Sequence, residues 1–283
     1  MLNRQDDIVE SKAIRDILKF IHFNTWLIVD LDNTLMHPLQ IRGMDEAEGE
    51  LGSDQWFEKL FKEAQAITCS QPSMIEKVLE LYHEVQHHLN MQVVEENIGM
   101  IVDRLQNLGI PVIGLTARGE ILKQTTMRQL KEIGIELDRI IFCDGKNKGE
   151  CAEKFLKGFP PNYLPGHIAM IDDKKKHLES VKKAVEKFKI KFDGIRYGYL
   201  DEKVEKVDME KAHEQLAKLK SHLPFSTQII IEELKLLPAK KSQNVQMEME
   251  QRSFSIEYQA VSHSVQIAND LVQEEGNRVR VKM

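Results

Sequence analysis

Cysteine is scarce: Cys69, Cys143 and Cys151 are the only three in 283 residues. An odd number without regular spacing suits a reducing compartment better than a disulfide framework. Long apolar runs are missing too, and no stretch approaches the roughly 18 residues a membrane helix needs. A signal-peptide pattern is not found, because Arg4, Asp6, Asp7, Glu10, Lys12, Arg15, Asp16 and Lys19 interrupt any apolar segment in residues 1–25. There is no basic excess: the net charge of −6 and pI of about 6.0 speak against nucleic acid or an anionic membrane as a general partner. Internal repeats are absent. A soluble, cytoplasmic protein without a membrane segment is therefore expected, with export by another kind of signal left open.

With 42% hydrophobic and 30% charged residues, the chain has the composition of a packed globular protein rather than a disordered one. Its length suits one large α/β domain with an insertion, or two modest domains. Residues 6–21 have the apolar spacing of an amphipathic helix, with Ile8, Val9, Ile14, Ile17, Leu18 and Ile21 on one side. Short apolar runs follow at 26–29, 111–115, 139–142, 167–171 and 194–199, with helical stretches near 120–133, 149–157 and 176–188. Such runs suit strands buried on both faces, and their alternation with helices predicts a Rossmann-like parallel sheet with helices on both faces.

Residues 41–108 contain no recognisable strand. A helix capped by Ser53, a second at 73–90 and a third at 94–108 are expected there. The expected organisation is a core of 1–40 and 94–237, a helical cap of 41–93, and 238–283 as a polar linker with a C-terminal helical tail near 255–273. A charged helix is expected over 203–221.

The sharpest chemical feature is Asp30-Leu31-Asp32-Asn33-Thr34-Leu35, directly after the first apolar run. It sets one carboxylate at a strand's carboxyl end to attack, and a second two residues on to move protons. Thr116, in Leu115-Thr116-Ala117-Arg118, ends the next run and offers a hydroxyl to a phosphoryl oxygen. Lys148 opens a helix after the third run and can neutralise phosphoryl charge, with Lys146 as its competitor. Asp172 and Asp173 end the fourth run, and with Asp30 they would make an oxygen-rich site for Mg²⁺. Singly these are a cap, a solvated lysine and an acidic turn; together, each closes a predicted strand in order.

The series resembles the four motifs of the haloacid dehalogenase superfamily, over roughly residues 20–40 and 95–200, in the Asp-x-Asp-x-Thr form of its phosphatases and phosphotransferases. The insertion is placed like a first-type cap. Residues 51–57, Leu-Gly-Ser-Asp-Gln-Trp-Phe, are similar to a bacterial branch of that superfamily. The resemblance implies Asp30 as nucleophile forming an aspartyl-phosphate, and Asp32 as acid and base. It implies Thr116 and Lys148 on the phosphoryl group. It implies Mg²⁺ held by Asp30, the backbone carbonyl of Asp32, and Asp172, with Asp173 reaching it directly or through water.

Other signals compete. His83-Glu84-Val85-Gln86-His87 matches H-E-x-x-H on a predicted helix, but no convincing third zinc ligand accompanies it. Surface histidines on the cap explain it better. The lysines from Lys174 to Lys191 read as a solvated helix face, or as steering for an anion. Trp56 reads as cap core, or as a lid over substrate.

The function expected is a Mg²⁺-dependent phosphohydrolase acting on a small phosphorylated substrate. Phosphotransfer to an acceptor hydroxyl, and a non-catalytic binding or effector protein, remain alternatives. The tail would then serve a protein partner.

Overall fold

The computed structural model describes residues 7–44, 49–67 and 72–235. The linker and tail helix expected within 238–283 lie outside the described residues. The strands and helices are β1 (Ile8–Ser11), β2 (Thr25–Val29), β3 (Met36–Ile41), α1 (Asp54–Ile67), α2 (Pro72–His87), β4 (Leu89–Val93), α3 (Ile98–Asn107), β5 (Val112–Thr116), α4 (Lys123–Glu132), β6 (Arg139–Phe142), α5 (Lys148–Lys157), β7 (His167–Asp172), α6 (Lys175–Glu186), β8 (Lys191–Tyr197), α7 (Asp201–Val204), α8 (Met209–Leu219) and α9 (Phe225–Lys235).

Six strands form one parallel sheet in the order β1-β8-β7-β2-β5-β6. The apolar runs are continuous because both faces are covered. Along β2, Leu27 and Val29 point into the core shared with α1, α2 and α3, while Ile28 points into the core made by α5 and α6. β7 alternates in the same way, with Ala169 and Ile171 on one side and Ile168 and Met170 on the other. This is the expected Rossmann-like α/β class.

Two local expectations are corrected. Over the described residues 7–21 there is no α-helix. Ile8–Ser11 is an edge strand beside β8, and Ile14–Phe20 is a 3-10 helix. Its buried residues Ile14, Ile17 and Phe20 recur every three positions, the 3-10 period, while Leu18 is exposed. The stretch 41–108 does contain a strand: Leu89–Val93 pairs antiparallel with Met36–Ile41. Its apolar residues Leu89 and Met91 are buried with Asn90 between them, a period-2 pattern that the helix before it obscured. The ladder shifts register at Pro38, which has no N–H to give. The charged helix expected over 203–221 is broken into α7 and α8, the second capped by Asp208.

β3 and β4 thus form a stem from which α1 and α2 rise. Ser53 caps α1 as expected, its hydroxyl accepting from the Trp56 N–H at 3.2 Å. Trp56, Leu60, Phe61, Ala64, Val78, Leu81 and Val85 are buried in the same core as Leu27 and Ile171 of the sheet. Gly52 has φ +76°, and a Cβ there would stand 2.2 Å from Leu89 Cδ1, so the loop into α1 packs on β4 only as glycine.

Candidate active site

β2 and β7 are neighbours whose connections leave in opposite directions. The chain passes from β2 to β5 on one side, and from β7 to β8 on the other. Ligands of open α/β sheets bind outside the carboxyl ends of strands at such a switch point. Asp30 follows β2 and Asp172 ends β7, one on each lip of this crevice. Thr116 ends β5, and Lys148 opens α5 after β6.

The turn after β2 is tight. Asn33 takes φ 61°, a region asparagine tolerates, and its N–H donates to the Met36 carbonyl at 2.9 Å. The β6–α5 turn uses positive φ at Asp144 and Gly145. Asn147 caps α5 by accepting from the N–H groups of Gly149 and Glu150. Gly149 lets α5 meet α6, since a Cβ there would lie 2.3 Å from the Ser180 carbonyl oxygen. Lys148 is thereby fixed in the first turn of α5, where the helix dipole disfavours a cation. Two carboxylates compensate: its ammonium donates to Asp30 Oδ1 at 2.5 Å and to Asp172 Oδ2 at 2.8 Å. All three side chains are buried, whereas Lys146 is exposed.

Burial, with Asp172 and Asp173 nearby, pushes the Asp30 carboxyl well above the ordinary carboxylate range despite Lys148. Burial acts on Asp172 in the same direction, but Lys148 and His177 more than offset it and hold that carboxyl well below its usual range. Asp173, raised by burial and by Asp172 and Asp54 against the pull of Lys174, is pushed up to about 7. It accepts from Asn33 Nδ2 at 3.4 Å. Burial would lower Lys148, and its two carboxylate partners instead raise it.

Asp30, Asp172 and His177 each offer a ligand atom within 4.8 Å of the others, the one such group found among the described residues. Asp30, Asp172 and Asp173 share this crevice; Lys148 hydrogen-bonds the first two, while Lys174 turns its ammonium to Asp54 and Glu58 at 3.1 Å each. Two carboxylates and an imidazole nitrogen converge there, and the carboxylate oxygens suit a hard divalent cation. Asp173 is not one of the three converging groups.

Thr116 is fully buried and its hydroxyl accepts from the Arg118 N–H at 3.1 Å. Asp32 stands apart from the lysine cluster. Arg118 grips it at both oxygens, Nε to Oδ2 at 2.8 Å and Nη2 to Oδ1 at 2.7 Å.

Sequence reasoning missed two residues. Arg118 lay inside the quoted Thr116 motif, two residues on, but an arginine in a loop carries no signal of burial. His177 donates or accepts through Nδ1 at 3.0 Å from Asp172 Oδ1. Its five-residue spacing from Asp172, which puts it in the first turn of α6, was the signal available. The H-E-x-x-H pair gathers no third metal-ligating group among the described residues. His87 Nδ1 instead meets the Thr125 hydroxyl. Trp56 is fully buried, in the core that α1 shares with the sheet.

The chain belongs to the family described as Protein of unknown function (DUF2608), whose model matches residues 10–140 and 138–229. A Chlamydia pneumoniae protein whose name refers to the outer membrane is 24% identical over 209 residues, 66% of this chain and 76% of that protein. Among the described residues here, no helix is long and apolar enough to cross a membrane. Two solved structures resemble the chain in part. An L-2-haloacid dehalogenase covers 59% of this chain and 82% of its own at a TM-score of 0.33 and 11% identity. A hydrolase from Pseudomonas syringae covers 68% and 90% at 0.38 and 15%.

Proposed function

We propose that this member of the DUF2608 family is a metal-assisted phosphohydrolase that works through an aspartyl-phosphate on Asp30. The observation that carries the reading is the buried contact of Lys148 with both Asp30 and Asp172 across the sheet's switch point. It joins a carboxylate nucleophile, a fixed cation and a second carboxylate in one crevice, the parts that phosphoryl transfer needs.

In this reading Asp30 Oδ attacks phosphorus. Lys148 and the Thr116 hydroxyl bind the equatorial oxygens of the phosphoryl group. Asp30 and Asp172 would hold Mg²⁺ with the Asp32 carbonyl, and Asp173 would reach it directly or through water. Bound there, the ion neutralises the repulsion between an anionic nucleophile and an anionic substrate. Asp32 takes the proton from the water that hydrolyses the aspartyl-phosphate. Residues 41–93 act as a cap over the carboxyl ends of the strands, which favours a small substrate over a folded phosphoprotein.

The test is hydrolysis of 4-nitrophenyl phosphate with and without Mg²⁺, by wild type and Asp30→Asn. Expected are metal-dependent turnover in the wild type, its loss by at least about 10³-fold in the variant, and an unchanged fold. Turnover that survives Asp30→Asn would overturn the reading.

A further inference from the structure

The sequence motif points to Asp173 as the next ligand group after Asp30 and Asp172. The fold turns Asp173 to Asn33 Nδ2, at 3.4 Å, and brings a different side chain to the pair. His177 directs Nδ1 at Asp172, 3.0 Å from Oδ1 and 3.3 Å from Oδ2. Among the described residues, Asp30, Asp172 and His177 alone form a set whose ligand atoms lie within 4.8 Å of one another.

The position of the ring is set by the backbone around it. His177 lies in the first turn of α6, and its N–H donates to the carbonyl of the Lys174 cap at 3.0 Å. The Lys174 N–H donates in turn to Asp172 Oδ1 at 2.8 Å, so one short loop ties ring to carboxylate. On the other side, the Ser180 hydroxyl donates to the His177 carbonyl at 2.8 Å and accepts from the Gly149 N–H at 3.2 Å. That joins the turn carrying His177 to the turn carrying Lys148. Asp172 has a donor on each oxygen without the ring, Lys148 on Oδ2 and the Lys174 N–H on Oδ1. An imidazole is therefore more than the carboxylate needs for its own hydrogen bonding.

A neutral imidazole with its hydrogen on Nε2 offers a lone pair at Nδ1. Nδ1 and Asp172 Oδ1 then stand side by side as donors, and their 3.0 Å separation is that of adjacent ligands on an octahedron with bonds of roughly 2.1 Å. Mg²⁺ favours oxygen donors and keeps several waters. Imidazole suits first-row transition ions, and Mn²⁺ accepts carboxylate and imidazole together.

We propose that His177 Nδ1 is a metal ligand beside Asp30 and Asp172, and that this nitrogen makes the site select a first-row transition ion such as Mn²⁺ over Mg²⁺. The proposal deepens the aspartyl-phosphate reading, on which it rests for the role of the metal. The ion's charge serves the same purpose as that of Mg²⁺; what changes is which ion holds the site when both are present.

The experiment is pulsed electron paramagnetic resonance of Mn²⁺ added to the full chain, with Mg²⁺ competition followed by the signal of released Mn²⁺. In wild type, the bound ion should show nitrogen modulation from an imidazole, and the isotope pattern should change in protein grown on ¹⁵N-histidine. Half of the Mn²⁺ should be displaced only by Mg²⁺ in more than about tenfold excess. His177→Gln can still donate a hydrogen bond to Asp172, but its amide has no nitrogen lone pair for a metal. There the modulation should vanish, and the preference for Mn²⁺ should fall by at least about tenfold. A purely positioning role for His177 would leave both readings unmoved. Bound Mn²⁺ without nitrogen modulation in wild type overturns the proposal, and the labelled wild type decides this even if the variant fails to fold. That result leaves the aspartyl-phosphate reading intact, because the carboxylates can hold an ion without the ring. Modulation that persists in His177→Gln overturns the proposal by assigning the nitrogen to another histidine. No bound Mn²⁺ together with no phosphorylated Asp30 overturns both.

Discussion

The ammonium of Lys148 lies 2.5 Å from Asp30 Oδ1, both side chains buried, across the crevice where the sheet reverses its winding. Breaking a buried pair by removing one partner leaves the other uncompensated. Lys148→Met should cost roughly 3–5 kcal/mol in urea unfolding without metal. Saturating Mg²⁺ should return part of that, by mass action on the folded state. A loss under about 1 kcal/mol would show that the pair behaves as a surface contact.

The pH dependence has two opposed parts. Asp172 is held below its unfolded value, so its contribution is present above about pH 4 and is lost as pH falls further. Asp173 is raised from 3.8 to about 7, so the folded chain keeps a proton there that the unfolded chain has lost. Its contribution is present below pH 3.8 and lost as pH rises toward 7. Metal-free protein should therefore melt lower at pH 8 than at pH 5.5. Asp30, also raised by burial, acts in the same direction, so Asp173→Asn should remove only part of that difference, and raise the Tm at pH 8 by about 2–4 °C for each kcal/mol recovered. An unchanged pH dependence in the variant would assign the effect to another group.

Gly149 sits under the Ser180 carbonyl, 2.3 Å from where a Cβ would be. Gly149→Ala must push α5 off α6 and carry Lys148 with it. Expected are a loss of about 1–3 kcal/mol and a fall in kcat larger than in KM. Wild-type kcat in a folded variant would mean that the lysine tolerates displacement.

His87 meets the Thr125 hydroxyl, and neither it nor His83 belongs to the converging metal-ligating group. His83→Ala with His87→Ala should leave hydrolysis within about twofold, and zinc should bind the variant and the wild type alike. Loss of a tightly bound zinc in the double variant would restore the metalloprotease reading.

The strand ends were legible because a parallel sheet buried on both faces writes apolar runs into the sequence, and the chemistry sits at their carboxyl ends. Asp30, Thr116 and Asp172 could be placed from that alone, whereas Lys146 and Lys148 competed until burial separated them. The 3-10 segment was not legible, because Ile14, Ile17 and Phe20 at three-residue spacing also fit a helical stripe. β4 was hidden by its length of five residues directly after α2. Nor could the roles of Arg118 and His177 be read, since each depends on partners 86 and 5 positions away. Spacing along the chain shows which residues reach a strand end, not which way each turns.

The central claim is that Asp30 carries the phosphoryl group. The most direct measurement is to quench the enzyme during turnover of acetyl phosphate with Mg²⁺, reduce with borohydride, and map the product by peptide mass. An aspartyl-phosphate at Asp30 would be reduced to homoserine there, in wild type and not in Asp30→Asn. Turnover without that mark, or the mark on another carboxylate, would contradict the account.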